Sequence, residues 1–295
     1  MMSEQPRYDK PLALVTGAAG LIGGYLIGTA GRWAPQWHVW GLTRAEADLT
    51  DPTQVKALWR RCPPNLVIHC AALSRTGACE QDPERARRIN VEATKHLADL
   101  ARDIPFVFLS TDQVFDGSSG SYIETDEVHP LNVYGQTKAE AERIVLQNPS
   151  HTVVRIALTA GTSPTRDRGF VEDMVRAAAK GTTLTLFTDE YRCPITAGAL
   201  ARALWELASQ QRSGLYHLGG SERLSRWEIG ILLSRWYPTL ASAIRPGSVT
   251  DYLGPPRPPD LSMCSEKIKA LLSFRIPGLR QWVTSGPPSG PDPWE

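Results

Sequence analysis

Few cysteines and no long apolar run are the first features of this sequence. Its 295 residues include five cysteines, an odd number without a C-x-x-C pair, and this is unlike the cysteine framework of a small secreted domain. No apolar run approaches the roughly 18 residues that a membrane-spanning helix needs. The polar first ten residues also lack the apolar segment of a signal peptide. We therefore expect reduced thiols and a cytoplasmic protein without a membrane partner.

An excess of charge is also lacking, because 32 Lys and Arg residues stand against 31 Asp and Glu residues. A balanced chain does not offer the basic surface that attracts nucleic acid, so we expect no such partner. His69, Cys70 and Cys79 are the most tempting metal ligands. Adjacent strand residues point to opposite faces, so we interpret these three as structural and predict no metal site.

A glycine motif follows the first apolar segment. Residues 12–15 (Leu-Ala-Leu-Val) are typical of a strand buried on both faces, and Gly17, Gly20 and Gly23 follow with the spacing G-x-x-G-x-x-G before a helical pattern begins. Glycine has no Cβ atom, so the turn can close and the backbone can approach a ligand. The helix N-terminus then offers N–H groups to a diphosphate, and the pattern predicts a dinucleotide site.

Strand-like and helical segments alternate as far as about residue 157, which predicts an α/β, Rossmann-type, doubly wound parallel sheet. The alternation then breaks down, which indicates a smaller C-terminal α/β substrate lobe. The predicted regions are a dinucleotide-binding domain over 1–158 with 194–220 returning to it, a substrate lobe over 159–193 and 221–285, and a disordered tail over 286–295.

The segment after the second predicted strand bears on cofactor choice. Dinucleotide folds often place an acid there to bind the 2′-hydroxyl of NAD, whereas an arginine accommodates the 2′-phosphate of NADP. Arg44 therefore favours NADPH, with NADH as the alternative, and a solvated loop arginine is the other interpretation. Asn90, on the long helix that Pro83 begins, is expected either to bond the backbone of an active-site strand or to be exposed.

Tyr134 and Lys138 are four residues apart at the start of a predicted helix and so share one face. Ser110 and Thr111 end the fourth strand, at the edge of the sheet where a ligand crevice opens. A carbonyl that accepts a hydride on carbon needs a proton on oxygen, and Tyr134 is the natural donor. Its free pKa is about 10, and we expect the Lys138 ammonium to lower it. Thr111 is expected to hydrogen-bond the reacting oxygen.

The predicted cofactor-binding residues come from the glycine turn, the carboxyl ends of the strands and this helix. They are Gly17, Gly20, Leu21, Ile22, Gly23, Thr43, Arg44, Asp48, Leu49, Ala71, Ala72, Leu73, Asn90, Ser110, Tyr134 and Lys138.

These motifs resemble those of the extended short-chain dehydrogenase/reductase family and, more narrowly, of the dTDP-4-dehydrorhamnose reductases. The matching segments are 42–51, 110–117, 130–135 and Arg257-Pro258, and the similarity extends over 11–283. The resemblance implies catalytic Thr111, Tyr134 and Lys138, an NAD(P)H cofactor and a nucleotide-linked 4-keto-6-deoxysugar substrate. It also implies a C-terminal lobe that closes over that substrate.

Three substrate-side positions differ from the family pattern. Gln113 and Leu158 stand where the family usually has tyrosine and tryptophan, and Thr76-Gly77-Ala78-Cys79 replaces an acidic-basic stretch. This is what a reductase of a different ketosugar would show. The predicted substrate-binding residues are Thr111, Gln113, Val114, Phe170, Arg192 and Arg257. The two arginines are expected to grip a diphosphate, and a solvated surface charge is the other interpretation of each.

The sequence also bears on other reaction types and on one other class of protein. Related dehydratases use an Asp-Glu pair after the threonine, and Gln113 does not titrate, so dehydration is disfavoured while epimerisation stays open. The family also resembles the non-catalytic, NADP-binding β subunit of methionine adenosyltransferase. The intact Thr111, Tyr134 and Lys138 favour the enzyme. A homodimer is left open.

Overall fold

The computed structural model describes residues 9–254 and 256–285 of the chain, so the predicted tail over 286–295 lies outside the described residues. The strands are β1 (Leu12–Thr16), β2 (His38–Leu42), β3 (Leu66–His69), β4 (Phe106–Thr111), β5 (Thr152–Ile156), β6 (Thr159–Ala160), β7 (Leu184–Phe187), β8 (Tyr191–Arg192), β9 (Ile195–Thr196), β10 (Gly214–Leu218), β11 (Leu224–Ser225) and β12 (Ile244–Gly247). The α-helices are α1 (Leu21–Trp33), α2 (Pro52–Arg61), α3 (Thr76–Gln81), α4 (Pro83–Arg87), α5 (Ala93–Leu100), α6 (Val133–Val145), α7 (Phe170–Ala179), α8 (Ala197–Ser209), α9 (Arg226–Leu233), α10 (Pro238–Ala243), α11 (Glu266–Lys269) and α12 (Leu279–Thr284).

A six-stranded parallel sheet forms the centre of the fold, in the order β10-β5-β4-β3-β1-β2. Every residue of β1, β3 and β4 is buried, as expected for strands that are covered on both faces. The chain reverses its direction across the sheet between β1 and β3, and such a reversal opens a crevice beyond the carboxyl ends of the strands. The predicted Rossmann-type α/β fold is confirmed.

Helices cover both faces of this sheet. On one face, α1 and α8 pack against the strands, and the buried Trp205 of α8 donates a hydrogen bond from Nε1 to the Leu26 carbonyl oxygen at 3.0 Å. On the other face, residues of α2, α5 and α6 form a second core with β1, β3 and β4. The two cores together bury both faces of the central sheet.

A third hydrophobic core lies in the C-terminal part of the chain. It includes residues of α7, α9, α10 and α12 and of strands β7, β11 and β12. Two small sheets, β7 with β12 and β8 with β11, complete this region, which we name the substrate lobe. Sequence patterns missed α3, α10, α11 and α12, because each is a helix of no more than six residues. Within the described residues, the helices are too short or too polar to cross a bilayer.

The predicted long helix that starts at Pro83 is interrupted. A π-helical segment, Arg88–Glu92, separates α4 from α5 and contains the fully buried Asn90. A π-helical segment carries an extra residue in one turn and is often found at functional sites. Here it turns Asn90 toward the carboxyl end of β3.

Candidate active site

The glycine turn joins β1 to α1 and lies directly against the end of β3. Gly17 has a φ of +71°, and a Cβ atom on it would lie 2.8 Å from the Ala71 nitrogen. A Cβ on Gly23 would lie 2.3 Å from the Gly17 oxygen, so both positions require glycine. Helix α1 has Gly20 as N-cap, without a side-chain cap and without an acid in its first turn. Its N–H groups therefore suit the diphosphate of a dinucleotide.

Buried hydrogen bonds fix the end of β3 beside this turn. The Thr16 hydroxyl accepts hydrogen bonds from the backbone N–H groups of Cys70 and Ala71, both at 3.2 Å. Thr16 Oγ1 also lies 2.7 Å from His69 Nδ1, and His69 Nε2 lies 3.0 Å from Thr94 Oγ1. Burial and the nearby Lys138 charge lower the pKa of His69 to about 3. His69 is therefore a neutral structural residue, in agreement with the sequence interpretation.

Asn90 ties the residues after β3 to α6. Its Oδ1 accepts a hydrogen bond from the Leu73 N–H at 2.8 Å, and its Nδ2 donates to the Leu73 oxygen and to Thr137 Oγ1. The sequence left open whether Asn90 bonds the backbone near a strand end or is exposed. In the structure Asn90 is fully buried and bonds the backbone. Because both amide atoms bind protein, Asn90 positions Leu73 rather than presenting a polar group to the crevice.

Arg44 follows the carboxyl end of β2, which pairs with β1 in the sheet. Its side chain is 74% exposed and forms an ion pair with Asp48 at 3.4 Å. Thr43 donates from its N–H and its hydroxyl to Glu46 Oε2, at 2.8 and 2.9 Å. An exposed guanidinium at this position can turn toward a 2′-phosphate, so the predicted role of Arg44 stays a prediction.

Thr111, Tyr134 and Lys138 meet at the carboxyl end of β4. Asn132 caps α6, since its Oδ1 accepts from the Gly135 N–H at 2.8 Å. A Cβ on Gly135 would lie 2.1 Å from the Gln113 oxygen, so glycine lets α6 approach the end of β4 closely. The Thr111 side chain lies near enough to the Tyr134 phenol to act on its pKa, and Lys138 Nζ lies 3.8 Å from the centre of the Phe108 ring. With Asp112, these three residues form what we name the catalytic edge.

Desolvation dominates the electrostatics of the catalytic edge. Burial lowers the pKa of Lys138 to about 7, although the Glu142 and Cys70 charges oppose the shift. Burial and the Asp112 charge raise the pKa of Tyr134, and only the Thr111 side chain acts in the other direction. The expectation that Lys138 lowers the pKa of Tyr134 is therefore wrong for this structure. The phenol is held protonated, which suits a proton donor more than a base.

Two polar oxygens at the catalytic edge have no partner. Ser110 Oγ and Asp112 Oδ2 are buried and form no hydrogen bond among the described residues, whereas Asp112 Oδ1 accepts one from Thr111 at 3.1 Å. Burial raises the pKa of Asp112 to about 6, and the Arg192 charge opposes this. Unpaired buried polar atoms are costly, so they mark a place where a ligand supplies the missing bonds.

The predicted substrate residues after β4 have different environments. Gln113 is partly exposed, and its Oε1 accepts a hydrogen bond from Asn132 at 3.0 Å. Val114 is fully buried in a hydrophobic cluster with Phe115 and Leu261. Its side chain has no surface for a substrate, so the structure corrects this prediction. The turn Asp112–Val114 is a 3₁₀ helix, which points Val114 inward.

In the substrate lobe, Arg192 and Arg257 are held by one carboxylate. Glu190 is 1% exposed, and it accepts from Arg257 Nε at 2.7 Å and from Arg257 Nη2 at 2.9 Å. Arg192 Nη2 lies 2.9 Å from Glu190 Oε1. Burial alone would raise the pKa of Glu190, but the bonds and charges of these arginines outweigh it, and the pKa is lowered. Arg192 and Arg257 were both predicted to bind a diphosphate. In this structure both instead form ion pairs with Glu190.

Sequence reasoning missed a third arginine at this place. Arg226, the first residue of α9, has its guanidinium carbon 5.1 Å from the centre of the ring of Phe170, a predicted substrate residue. Glu190, Arg192 and Arg257 all act on its charge, and so does Asp112 of the catalytic edge. We name Glu190, Arg192, Arg226 and Arg257 the arginine cluster. The local sequence Ser225-Arg226-Trp227-Glu228 forms a capping box. This pattern predicts where the helix begins but gives no indication that Arg226 binds a ligand.

Known proteins with a similar sequence identify the family. The RmlD substrate binding domain family matches residues 12–285. The chain belongs to this family. The predicted resemblance to the dTDP-4-dehydrorhamnose reductases is confirmed with it.

Individual members fall into two groups. The chain is 32% identical to dTDP-4-dehydrorhamnose reductase of Aggregatibacter actinomycetemcomitans, over 75% of this chain and 77% of that protein. It is also 32% identical to methionine adenosyltransferase 2 subunit beta of Xenopus laevis, over 91% of this chain and 86% of that protein. The crystal structure of dTDP-4-dehydrorhamnose reductase from Bacillus anthracis in complex with NADP has a TM-score of 0.83 and 21% identity, and covers 94% of this chain and 98% of that chain.

Proposed function

We propose that this chain is an NAD(P)H-dependent reductase of a nucleotide-linked ketosugar, of the dTDP-4-dehydrorhamnose reductase type. The proposal is supported by the position of Tyr134 beside Thr111 at the end of β4, with Lys138 one helical turn further along α6 and against the Phe108 ring of β4. The predicted class, an NAD(P)-dependent oxidoreductase, agrees with the reductase among its relatives. A nicotinamide cofactor would be held by the glycine turn and the end of β3, and when bound it supplies the hydride.

The residues of the catalytic edge supply the rest of the chemistry. A ketone oxygen near Thr111 accepts a hydrogen bond from its hydroxyl, which orients the carbonyl. Tyr134 then donates its phenolic proton to that oxygen as negative charge develops on it. Lys138 lies one helical turn away on α6, is a predicted cofactor-binding residue, and would hold the nicotinamide cofactor beside Tyr134. Surrounding hydrophobic residues exclude water, which strengthens each of these interactions.

Cofactor preference and cellular location complete the proposal. The exposed guanidinium of Arg44 favours NADPH over NADH, because it can pair with a 2′-phosphate. The five cysteines all lie within the described residues and form no disulfide, which supports the cytoplasmic location predicted from the sequence. A homodimer stays a prediction.

Oxidation of NADPH with a panel of ketosugar nucleotides tests this function. Wild-type protein is expected to turn over at least one dTDP- or UDP-linked 4-ketosugar. Tyr134→Phe removes the proton donor and is expected to lower kcat by about 10² to 10⁴, with the affinity for NADPH unchanged. Full activity in Tyr134→Phe would contradict the role of this residue.

One observation favours a second function. The similarity to methionine adenosyltransferase 2 subunit beta covers 91% of this chain, against 75% for the dTDP-4-dehydrorhamnose reductase. A non-catalytic, cofactor-binding regulatory subunit is therefore the alternative. Tight NADPH binding with no turnover of any ketone in the panel, together with copurification of a methionine adenosyltransferase catalytic subunit, would support it.

A further inference from the structure

We propose that Arg226, rather than Arg192 or Arg257, is the anion-binding residue of the substrate lobe, and that it binds the diphosphate of the substrate. This inference rests on the proposed function in one respect, namely that the substrate is a nucleoside diphosphate derivative. Three steps lead to it.

The first step is that Glu190 forms direct ion pairs with Arg257 and Arg192, whereas it acts on Arg226 only at longer range. Both carboxylate oxygens accept from Arg257, and Oε1 also pairs with Arg192. Arg192 Nη1 donates in addition to the carbonyl oxygens of Tyr191, at 2.6 Å, and Pro258, at 3.2 Å. These bonds fasten the segment before Asp260 to β8. Arg192 is therefore a structural clamp, and Arg257 is held in a bidentate pair.

The second step is that Arg226 lies in the same place without such a partner. Its backbone N–H donates to the Glu190 carbonyl oxygen at 2.8 Å, which fixes the residue beside the cluster. Its guanidinium forms no ion pair or side-chain hydrogen bond with the described residues, and it lies against the Phe170 ring. Burial lowers the pKa of Arg226 to about 10, and Arg192 and Arg257 act in the same direction. A desolvated cation beside two others is stabilised when an anion binds it.

The third step concerns the position of Arg226 relative to the catalytic edge. Asp112 attracts Arg226 electrostatically, yet Asp112 Oδ2 is buried and accepts no hydrogen bond. The two groups are thus close enough to interact and too far apart to touch. In the proposed complex, a polar ligand with its reacting carbon near Thr111 supplies the bonds that Asp112 Oδ2 and the Arg226 guanidinium lack. The guanidinium fork matches two phosphate oxygens, as a diphosphate linked to that sugar would present.

Binding measurements on the full-length chain test the inference. Isothermal titration calorimetry with inorganic pyrophosphate, dTDP and thymidine is done with excess NADP⁺, so that the glycine turn is occupied. Arg226→Gln is expected to raise the Kd of pyrophosphate and of dTDP about tenfold or more, the loss typical of a hydrogen bond to a charged group. Arg226→Lys keeps the charge and should lose less. Thymidine has no phosphate, so its binding should not change.

Arg235→Gln is the matched control, because Arg235 is exposed just beyond the end of the same helix and its loss changes the net charge equally. Its pyrophosphate affinity should equal that of wild type. An unchanged NADP⁺ affinity in Arg226→Gln shows that the variant is folded. Wild-type affinity for pyrophosphate in Arg226→Gln, or no binding of pyrophosphate by wild type, would overturn the inference.

The two proposals fail separately. Loss of pyrophosphate binding in Arg226→Gln without turnover of any ketosugar leaves the anion site in place and removes the reductase function. Turnover with an unchanged KM in Arg226→Gln leaves the reductase function and removes the role of Arg226.

Discussion

At the catalytic edge, ionisable groups are buried with few partners, whereas in the arginine cluster two of the three arginines are paired with a buried carboxylate. Burial lowers the pKa of Lys138 to about 7 and raises that of Asp112 to about 6. Glu190, by contrast, has a lowered pKa because paired arginines outweigh the effect of burial. The catalytic edge therefore changes its charge near neutral pH, while the arginine cluster keeps its charges. Proton transfer needs groups that change their charge near neutral pH, whereas binding of an anion needs positive charges that persist.

Glu190→Gln should have the largest effect on stability. The change removes the charge that pairs with Arg192 and Arg257, and Arg192 is left buried without a counter-ion. Breaking a buried pair from one side typically costs about 3 to 5 kcal/mol of unfolding free energy. Urea unfolding measures this, with the exposed Glu127→Gln as control. A loss of less than about 1 kcal/mol would contradict the comparison, since exposed pairs are worth that little.

Lys138→Met should stabilise the protein while abolishing activity. The folded-state pKa of Lys138, about 7, lies below the ordinary value of 10.5, so the buried ammonium destabilises the fold. The full penalty is present below pH 7, decreases as the pH rises from 7 to 10.5, and is absent above that range. One pH unit between the two pKa values corresponds to about 1.4 kcal/mol, so we expect a gain of a few kcal/mol at pH 6.

Urea unfolding of Lys138→Met and wild type at pH 6 and pH 9.5 checks this prediction. The difference between the two proteins should be clearly smaller at pH 9.5. A variant that is less stable than wild type at pH 6 would show that Lys138 contributes to folding, and would break the comparison between the two regions.

Arg44→Gln tests an arginine outside both regions, exposed to solvent. Loss of its pairing with a 2′-phosphate should lower kcat/KM for NADPH about tenfold, as expected for a charge-assisted hydrogen bond. The value for NADH should stay the same. Steady-state kinetics with both cofactors measure the ratio, and the exposed Lys56→Gln on α2 is the control. An equal decrease of kcat/KM with NADPH and with NADH would mean that Arg44 does not bind the 2′-phosphate.

Asp112→Asn should have the smallest effect, confined to pH dependence. The Asp112 charge also raises the pKa of Tyr134, but burial is the larger cause and keeps the phenol protonated with either residue at position 112. The inflection near pH 6 that belongs to Asp112 itself should disappear. The exposed Asp99→Asn should leave the profile unchanged. An inflection near pH 6 that persists in Asp112→Asn would show that it belongs to another group.

The parts that sequence could predict lie within single elements or beside their ends. Gly17, Gly20 and Gly23 share one turn, and Tyr134 and Lys138 share one helical turn, so spacing alone indicates which residues come together. Buried parallel strands have a clear apolar signature. These local rules were enough for the fold and for the catalytic edge.

Residues whose roles depend on distant segments were not predictable. Arg226 is left without an ion pair because Glu190 pairs with Arg192 and Arg257, which lie on other segments of the chain. The inward orientation of Val114 depends on a 3₁₀ turn that spacing does not reveal. The pKa of Tyr134 depends on burial by neighbours from several elements, and a motif carries no information about solvent.

Because of the π-helical segment Arg88–Glu92, the number of residues between α4 and α5 cannot change without moving Asn90. Deleting one residue there would restore a regular α-helix and rotate one half against the other by about 100°. Asn90 would then lose its hydrogen bonds to Leu73 and Thr137, although Asn90, Leu73 and Thr137 would all still be present in the sequence. Among homologous chains, gaps in this helix should therefore be rarer than substitutions, even at its solvent-facing positions.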